Sequence, residues 1–315
     1  TGYSLTAVGY RALATNTRAY ENSAFGYKRS EVNTTGSLNT ALGKVALNLN
    51  TTGYNNTAVG ANTLVYNTTA HSNAAVGHDA LFSNSIGSYN TAIGRSALRL
   101  NTAGNNVAVG YAAGYNTTAT YNTHIGYQAG NQTTTGNVCA VGYEAAYNNT
   151  TGTGNTAVGR YRPLYSNTTG SNNTAIGGQA LYFSSTASSN TAVGYIAGYG
   201  LTTGTNTAVG YGALSANPCS ATESVSVGYK TLYNTTTGTY NTALGSQALY
   251  NNSTGTGNVG VGLNAGYYIT TGSKNSILGA YNGNQGGLDI RTSSNNIVLS
   301  DGDGNPRAVC DSGGE

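Results

Sequence analysis

The chain repeats itself every 16 to 18 residues. A glycine that follows Ala-Val, Ala-Ile or a similar pair returns seventeen times, and we call it the corner glycine of each repeat. A period this short cannot hold a helical hairpin, but it suits one coil of a solenoid whose core closes only when coils stack. The repeat therefore predicts an all-β parallel β-solenoid, or β-roll, of about seventeen 17-residue coils. The corner glycines are Gly9, Gly26, Gly43, Gly60, Gly77, Gly94, Gly110, Gly126, Gly142, Gly159, Gly177, Gly194, Gly210, Gly228, Gly245, Gly262 and Gly279.

The uninterrupted repeat also predicts the domain organisation. We expect one elongated β-solenoid repeat domain over residues 3–284, followed by a C-terminal capping or linker tail over residues 285–315. Neighbouring strands lie about 4.8 Å apart, so seventeen stacked coils would extend over roughly 80 Å. The absence of methionine, including an initiator, favours a processed or partial product.

Each repeat places apolar and small residues at fixed positions. The residue before the corner glycine is apolar in every copy, as in Val59, which predicts that it faces the core. Strand alternation then turns the alanine one position earlier, such as Ala58, outward. An outward stripe of alanine predicts packing against a neighbouring chain. Cys139 occupies a strand position that elsewhere holds mostly threonine, and we interpret it as a small core residue.

Asparagine stands four residues before the corner glycine in fourteen of the seventeen repeats. Stacking would bring these amides into one column at the strand spacing, where each side chain can bond to the next. The pattern predicts a structural asparagine ladder, and its clearest members are Asn39, Asn56, Asn73 and Asn90.

Asn-x-Ser/Thr sequons recur in segments of the Asn-Thr-Thr type. Asparagine, threonine and glycine are ordinary turn residues, so turn chemistry accounts for these segments without any modification. In a secretory pathway the same sequons would be glycosylated. The candidate glycosylation sites are Asn33, Asn50, Asn67, Asn116, Asn167 and Asn234.

Tyrosine, with 26 copies, is the one abundant residue type that could form a binding face. It follows the corner glycine in eight repeats, and two runs of three tyrosines occupy successive repeats. Aromatic columns can pack against sugar rings or a partner surface, although they can also simply cover the corner of the solenoid. The candidate surface-binding residues are Tyr111, Tyr127, Tyr143, Tyr195, Tyr211 and Tyr229.

The charge of the chain and its sequence motifs argue against several classes of function. Charged residues make up 7% of the chain, and the net charge of +3 is not gathered into a basic stripe, so we expect neither nucleic-acid binding nor membrane insertion. The three histidines do not form a ligand pattern. The segment from Asp301 to Asn305 resembles the start of a calcium loop but lacks the distant glutamate, so we interpret it as a turn. We predict no catalytic residues, no metal and no cofactor.

Several strings in the chain resemble known families. The strings Asn155-Thr-Ala-Val-Gly159 and Asn241-Thr-Ala-Leu-Gly245 resemble the repeats of bacteriophage tail fibres that precede a self-cleaving intramolecular chaperone domain. The segment from Gly287 to Arg307 resembles the stretch just before that domain, which is itself absent. More distantly, the strand and corner resemble the head β-roll of YadA-type trimeric adhesins, whose period is shorter. These resemblances imply a homotrimeric fibre outside the cell or on a virion surface.

The leading hypothesis is a non-enzymatic fibre shaft or adhesin that attaches to a cell surface or glycan. Its expected partners are other copies of the chain and a host-surface glycan or receptor. An alternative is a subunit of a self-polymerising extracellular filament that docks head to tail through its terminal coils. Two further alternatives are a polysaccharide-cleaving tailspike, which the scattered carboxylates disfavour, and an ice-binding protein, which an inward-facing threonine disfavours.

Overall fold

A computed structural model describes residues 3–27, 30 and 32–314. It confirms an all-β parallel β-solenoid of about seventeen coils, each with one short strand before its corner glycine and a series of turns after it. None of the described residues is helical. The chain divides into two compact units, Thr1–Gly154 and Asn155–Glu315.

The first unit is a stack of parallel strands in strict register. Thr40 pairs with Thr57, Ala41 with Ala58 and Leu42 with Val59, and the equivalent pairing holds from strand to strand. The strands are β1 (Thr6–Val8), β2 (Ser23–Phe25), β3 (Thr40–Leu42), β4 (Thr57–Val59), β5 (Ala74–Val76), β6 (Thr91–Ile93), β7 (Val107–Val109), β8 (Thr123–Ile125) and β9 (Cys139–Tyr143).

The second unit continues the same pattern and ends differently. Its parallel strands are β10 (Thr156–Tyr161), β11 (Thr174–Ile176), β12 (Thr191–Val193), β13 (Thr207–Val209), β14 (Val225–Val227), β15 (Thr242–Leu244), β16 (Val259–Val261) and β17 (Ser276–Leu278). A hairpin of β18 (Asn284–Gln285) and β19 (Leu288–Asp289) follows. Strand β20 (Ile297–Ser300) then pairs in parallel with β17, and β21 (Pro306–Cys310) pairs antiparallel with β20.

Both the backbone conformation at the corner and the closeness of the next coil require glycine there. Gly43 has a φ of +141°, and a Cβ built on it would lie 2.0 Å from the carbonyl oxygen of Gly60 in the next coil. The other corners repeat this close approach, as at Gly245, whose added Cβ would lie 2.4 Å from the Gly262 oxygen. Only glycine permits the chain to turn here while the coils remain at strand spacing.

The orientation that we predicted for the strand residues is wrong. The central alanine of the strand is fully buried in nearly every coil, as Ala58 and Ala92 illustrate, whereas none of the residues before a corner glycine is buried. The interior is filled from the opposite side by the leucine four residues after the corner. A Cβ added to Gly260, which stands in the alanine position, would lie 2.9 Å from Leu249 Cγ. Because this interior is narrow, the smallest strand residue faces inward and the bulky one faces out. Cys139 likewise lies on the outward face and is not a core residue.

The leucine position has a left-handed backbone. Leu47 and Leu98 have φ values of 49° and 48°, which explains why glycine takes this position in several coils, Gly114, Gly130, Gly198 and Gly266 among them. Each lost leucine is compensated by a neighbouring side chain. Leu201 lies beside Gly198, Ile269 beside Gly266, and the His124 ring beside both Gly114 and Gly130. The core volume is therefore conserved although the repeat changes.

Candidate functional site

The outward residues of the strands form an uncharged face, which we call the strand face. Its first column consists of the residue before each corner glycine, which is Val, Ile, Leu or Phe. Its second column, two residues earlier, is mostly threonine, with valine, serine, alanine and Cys139 in the other coils. Several members are strongly exposed: Ile93 is 43% exposed and Leu244 is 49% exposed. Each unit thus presents a long apolar stripe with threonine beside it.

The strand face widens near the end of the second unit. An apolar hollow of about 230 Å³ on this face is bordered by Val259, Val261, Leu278, Ile297 and Leu299. Leu278 and Ile297 expose more than half of their surface. Contiguous exposed apolar surface of this kind is typical of a protein contact.

The four asparagines predicted as a ladder lie in one buried column. The backbone N–H of Asn56 donates to Asn39 Oδ1 at 3.0 Å, and Asn73 and Asn90 repeat the bond at 3.1 and 2.9 Å. The Nδ2 group of each donates in turn to a carbonyl oxygen of the following turn, as Asn56 does to Ala70 at 2.9 Å. We call this column the strand ladder.

A second ladder, which we did not predict, uses the sequon asparagines. Seven residues after the corner, Asn50 Nδ2 donates to Asn33 Oδ1 at 2.8 Å, and Asn67 Nδ2 donates to Asn50 Oδ1 at 2.7 Å. Asn84 and Asn101 extend this turn ladder. The signal was present in the sequence, because asparagine recurs at this position, but its Asn-x-Thr context pointed to turns and glycans.

This second ladder corrects most of the glycosylation prediction. Asn33, Asn50, Asn67 and Asn167 are all at least 99% buried, and the Nδ2 that would carry the glycan is hydrogen-bonded in each. A glycan on these atoms does not fit this fold. Of the six candidates, Asn234 is exposed and Asn116 is half-buried, so these two remain open to modification.

The predicted surface tyrosines form two stacked columns. Tyr127 stacks on Tyr111 and on Tyr143, with ring centroids 5.2 Å apart in both pairs and planes within 13° of parallel. In the second unit the centroids of Tyr195, Tyr211 and Tyr229 are 5.6 and 5.5 Å apart. All six side chains are exposed. Since the faces of Tyr127 and Tyr211 lie against their neighbours, these columns present ring edges and hydroxyls to a ligand rather than ring faces.

A second aromatic column, which sequence analysis missed, lies next to the first. It is centred five residues after the corner glycine. Tyr182 stacks on Tyr165 at 5.3 Å and on Tyr199 at 5.5 Å, and Tyr233, Tyr250 and Tyr267 form a similar run. Burial raises the pKa of the Tyr199 hydroxyl, and the neighbouring hydroxyls of Tyr182 and Tyr195 raise it further. We call the two columns together the tyrosine face.

Cations lie between the two columns of the tyrosine face. Lys230 Nζ is 5.4 Å from the ring centroid of Tyr229 and 5.1 Å from that of Tyr233. Arg162 contacts Tyr161 and Tyr165 in the same way, at 4.9 and 4.8 Å. Such cation–π contacts order long side chains on the surface. They show that a long side chain at this level of the coil, two residues after the corner for Lys230 and three for Arg162, points between the columns.

His124 occupies the alanine position of β8 and is the one histidine in the core. Neither of its ring nitrogens has a hydrogen-bond partner, and the buried hydroxyls of Thr117 and Thr133 also have none. Burial lowers the pKa of His124 from 6.5 to about 4. The buried His124 imidazole is therefore uncharged in the folded protein at neutral pH.

The segment that resembled a calcium loop is a turn. The Asp301 carboxylate accepts hydrogen bonds from the backbone N–H groups of Asp303 and Asn305, and it contacts the Arg307 guanidinium. The bond from Asn305 is the main reason that the pKa of Asp301 is lowered. This carboxylate has its own partners within the chain.

Over the described ranges, no three His, Cys, Asp or Glu side chains are grouped closely enough to hold a metal ion. The same residues contain no helix of the length and apolarity that a membrane crossing requires. Cys139, Cys219 and Cys310 are free thiols, and burial raises the pKa of Cys219 to about 11. Comparison of the chain with protein-family models and with curated proteins finds no match to either.

Proposed function

We propose that this protein is a non-enzymatic structural fibre shaft, in which three copies pack through their strand faces and present the tyrosine face to a cell surface or glycan. The observation that carries the proposal is the strand face itself. It is apolar, uncharged and repeated at the same spacing in coil after coil, so a second copy matches it in both chemistry and period. The resemblance to trimeric fibres favours three copies.

The contact between chains that we expected at the alanine stripe now moves to the strand face. Alanine is buried and cannot make this contact, whereas every residue of the valine and isoleucine column is exposed or half-buried in each unit. Burying apolar surface contributes about 25 cal/mol per Å². A stripe that runs through many coils is therefore a strong driving force for association.

Cys139 provides a direct test of this interface. It lies on the strand face in β9, so parallel copies in register would bring their Cys139 side chains to the same level. We would replace the exposed Cys310 with serine, treat the protein with a short bismaleimide, and measure its mass by analytical ultracentrifugation. We expect a trimer whose chains cross-link, and no cross-link in a matched Cys139→Ser variant. A monomer at all concentrations would refute the proposal, and an oligomer without cross-links would place the contact on another surface.

The end of the second unit supports a discrete shaft over the head-to-tail filament. Strand β21 pairs antiparallel with β20 and covers the edge that a parallel strand of another copy would need. An edge covered in this way is a common protection against strand addition. Electron microscopy would show discrete particles for a shaft and long filaments for the alternative.

One observation favours ice binding as a second candidate function. We disfavoured it because threonine was expected to face inward, but the threonine column lies on the outward strand face, as Thr57 and Thr191 show. A flat array of threonine and valine at strand spacing could order water. Thermal hysteresis in a monomeric sample would support this function, whereas a trimer that buries the strand face would exclude it.

A further inference from the structure

Two pockets interrupt the tyrosine face, one in each unit, and both combine tyrosine with amide side chains. The pocket of the first unit has a volume of about 210 Å³, and that of the second about 200 Å³, so each is smaller than a site that encloses a whole drug-sized ligand and can take only part of a longer one. Among the described residues, no charged side chain lines either pocket. The first is lined by Tyr111, Ala112, Tyr115, Asn116, Gln128, Asn131 and Gln132, and the second by Gln247, Asn264, Tyr267, Tyr268 and Asn282.

The first pocket opens where the second aromatic column is broken. On one side the Tyr115 ring lies 5.7 Å from the Arg99 guanidinium, whose Nη1 also donates to the Tyr115 hydroxyl at 3.0 Å. On the other side the equivalent residue is not an aromatic ring but Asn131, which is 5% exposed. Small Ala112 stands where other coils have a longer side chain. The Tyr115 ring therefore borders open space rather than another ring.

The amides of this pocket are held in a fixed chain. Asn116 Nδ2 donates to Gln132 Oε1 at 2.7 Å, and Gln132 Nε2 donates to Asn131 Oδ1 at 2.7 Å. Asn131 Nδ2 completes the chain by donating to the Ala112 carbonyl at 3.1 Å. Groups that are already ordered lose little entropy when a ligand binds. Each primary amide of Asn116 and Gln132 retains a second N–H that this chain does not use.

The second pocket repeats this chemistry in the other unit. One face of Tyr267 stacks on Tyr250, with ring centroids 4.9 Å apart, and the planes of the neighbouring Tyr267 and Tyr268 rings are nearly perpendicular, with centroids 4.8 Å apart. Asn282 borders the pocket from the next turn of chain. Asn264 also lines this pocket through its side chain, and its Oδ1 is buried without a hydrogen-bond partner.

From these two sites we infer that the pockets of the tyrosine face are subsites for an uncharged oligosaccharide. The apolar face of a sugar ring packs on Tyr115 or Tyr267, and its hydroxyls, which donate and accept, match amides that do both. The uncharged lining provides no partner for a carboxylate, sulfate or phosphate, and the Arg99 guanidinium beside Tyr115 is paired with Asp79, so acidic glycans are disfavoured. This inference rests on the proposed role in surface attachment and names the ligand class for it.

The test is binding of the full chain to an array of neutral oligosaccharides that also carries their sialylated and sulfated counterparts. The bound neutral oligosaccharide is then titrated against the variants Tyr115→Ala and Tyr267→Ala and against both together. Tyr121→Ala and Tyr240→Ala are matched controls, because these side chains are 65% and 56% exposed and line neither pocket. Circular dichroism and the mass in solution are recorded for every variant.

We expect neutral glycans to bind, and each pocket variant to weaken binding at its own site about tenfold while the controls are unchanged. Three results would overturn the inference: no neutral glycan bound, a preference for the acidic counterparts, or full binding by the double variant. Each of these can occur with an intact trimer, so they are distinguishable from a failure of the proposed shaft, which the mass alone reports.

Discussion

At the scale of single residues, the corner glycines limit sequence change most strictly. Gly245 has a φ of +127°, and its added Cβ would lie 2.4 Å from the Gly262 carbonyl oxygen. We expect Gly245→Ala to lower the free energy of unfolding by about 3–5 kcal/mol, because backbone strain and steric overlap add. Gly302→Ala is the control in the same unit, since nothing lies within 4 Å of its added Cβ. Thermal or urea unfolding measures the stability of both variants, and equal unfolding midpoints would contradict this prediction.

His124 predicts an acid-sensitive core in the first unit. In the unfolded chain the imidazole takes up a proton as the pH falls through about 6.5, whereas in the folded chain it does so only near 4. Between these values the unfolded state binds more protons, so stability falls as the pH is lowered. The full loss, about 3 kcal/mol, is reached near pH 4. His71 and His78, for comparison, are not buried.

The control for this prediction is the triple variant His124→Ala, Gly114→Leu and Gly130→Leu, which restores the usual coil. Leucine accepts the left-handed backbone of these two positions, as Leu98 does with a φ of 48°. We expect the triple variant to lose the fall in unfolding midpoint between pH 6.5 and 4 that the parent protein shows. An identical pH dependence in both proteins would assign it to other groups.

At the scale of the coil, the turn ladder is a continuous buried network. Asn67 Nδ2 donates both to Asn50 Oδ1 and to the Ala70 carbonyl. In Asn67→Asp, the oxygen that replaces Nδ2 would face these two acceptors with no proton to share, and we expect the free energy of unfolding to fall by about 2–4 kcal/mol. Asn234→Asp is the control, because this side chain is exposed and has one bond, to Asn251. Urea unfolding at neutral pH measures the difference, which should shrink as the pH approaches 4 and the buried acid protonates.

The coil also shows what the sequence could and could not predict. Its period, strand, corner glycine and strand ladder follow from residues that recur at fixed positions. Which face of the strand points into the core does not follow from the sequence, because alternation defines two faces without identifying the buried one. Val59 is the more apolar residue, but Ala58 is the one that fits against the leucine of the coil interior.

The candidate site was less predictable than the coil. The first tyrosine column was visible because Tyr111, Tyr127 and Tyr143 follow successive corners. The pockets were not, since they arise where the second column is broken by Asn131 or ends beside Asn282. A departure from a repeat becomes informative only when neighbouring coils are placed side by side in space.

At the scale of the whole molecule, the proposed shaft depends on contacts between copies of the chain through the strand face. An exposed lysine on this face would leave the fold of one chain intact, because Ile93 and Ile176 are already exposed at 43% and 40%. It would place like charges from several copies against one another at a contact without compensating acids. If the proposed trimer forms through this face, we expect Ile93→Lys combined with Ile176→Lys to convert it into a monomer with an unchanged circular dichroism spectrum.

The matched control is Ile86→Lys. Ile86 is 67% exposed but lies in a turn and not in a strand, so its charge should leave the trimer intact. Sedimentation velocity over a range of protein and salt concentrations measures the oligomeric state of both variants. Salt should partly restore association of the double variant, since it screens the repulsion between exposed charges. If the double variant sediments as a trimer at low salt, the strand face is exposed in the assembled protein and is free to bind something else, with ordered water on its threonine column the first ligand to test.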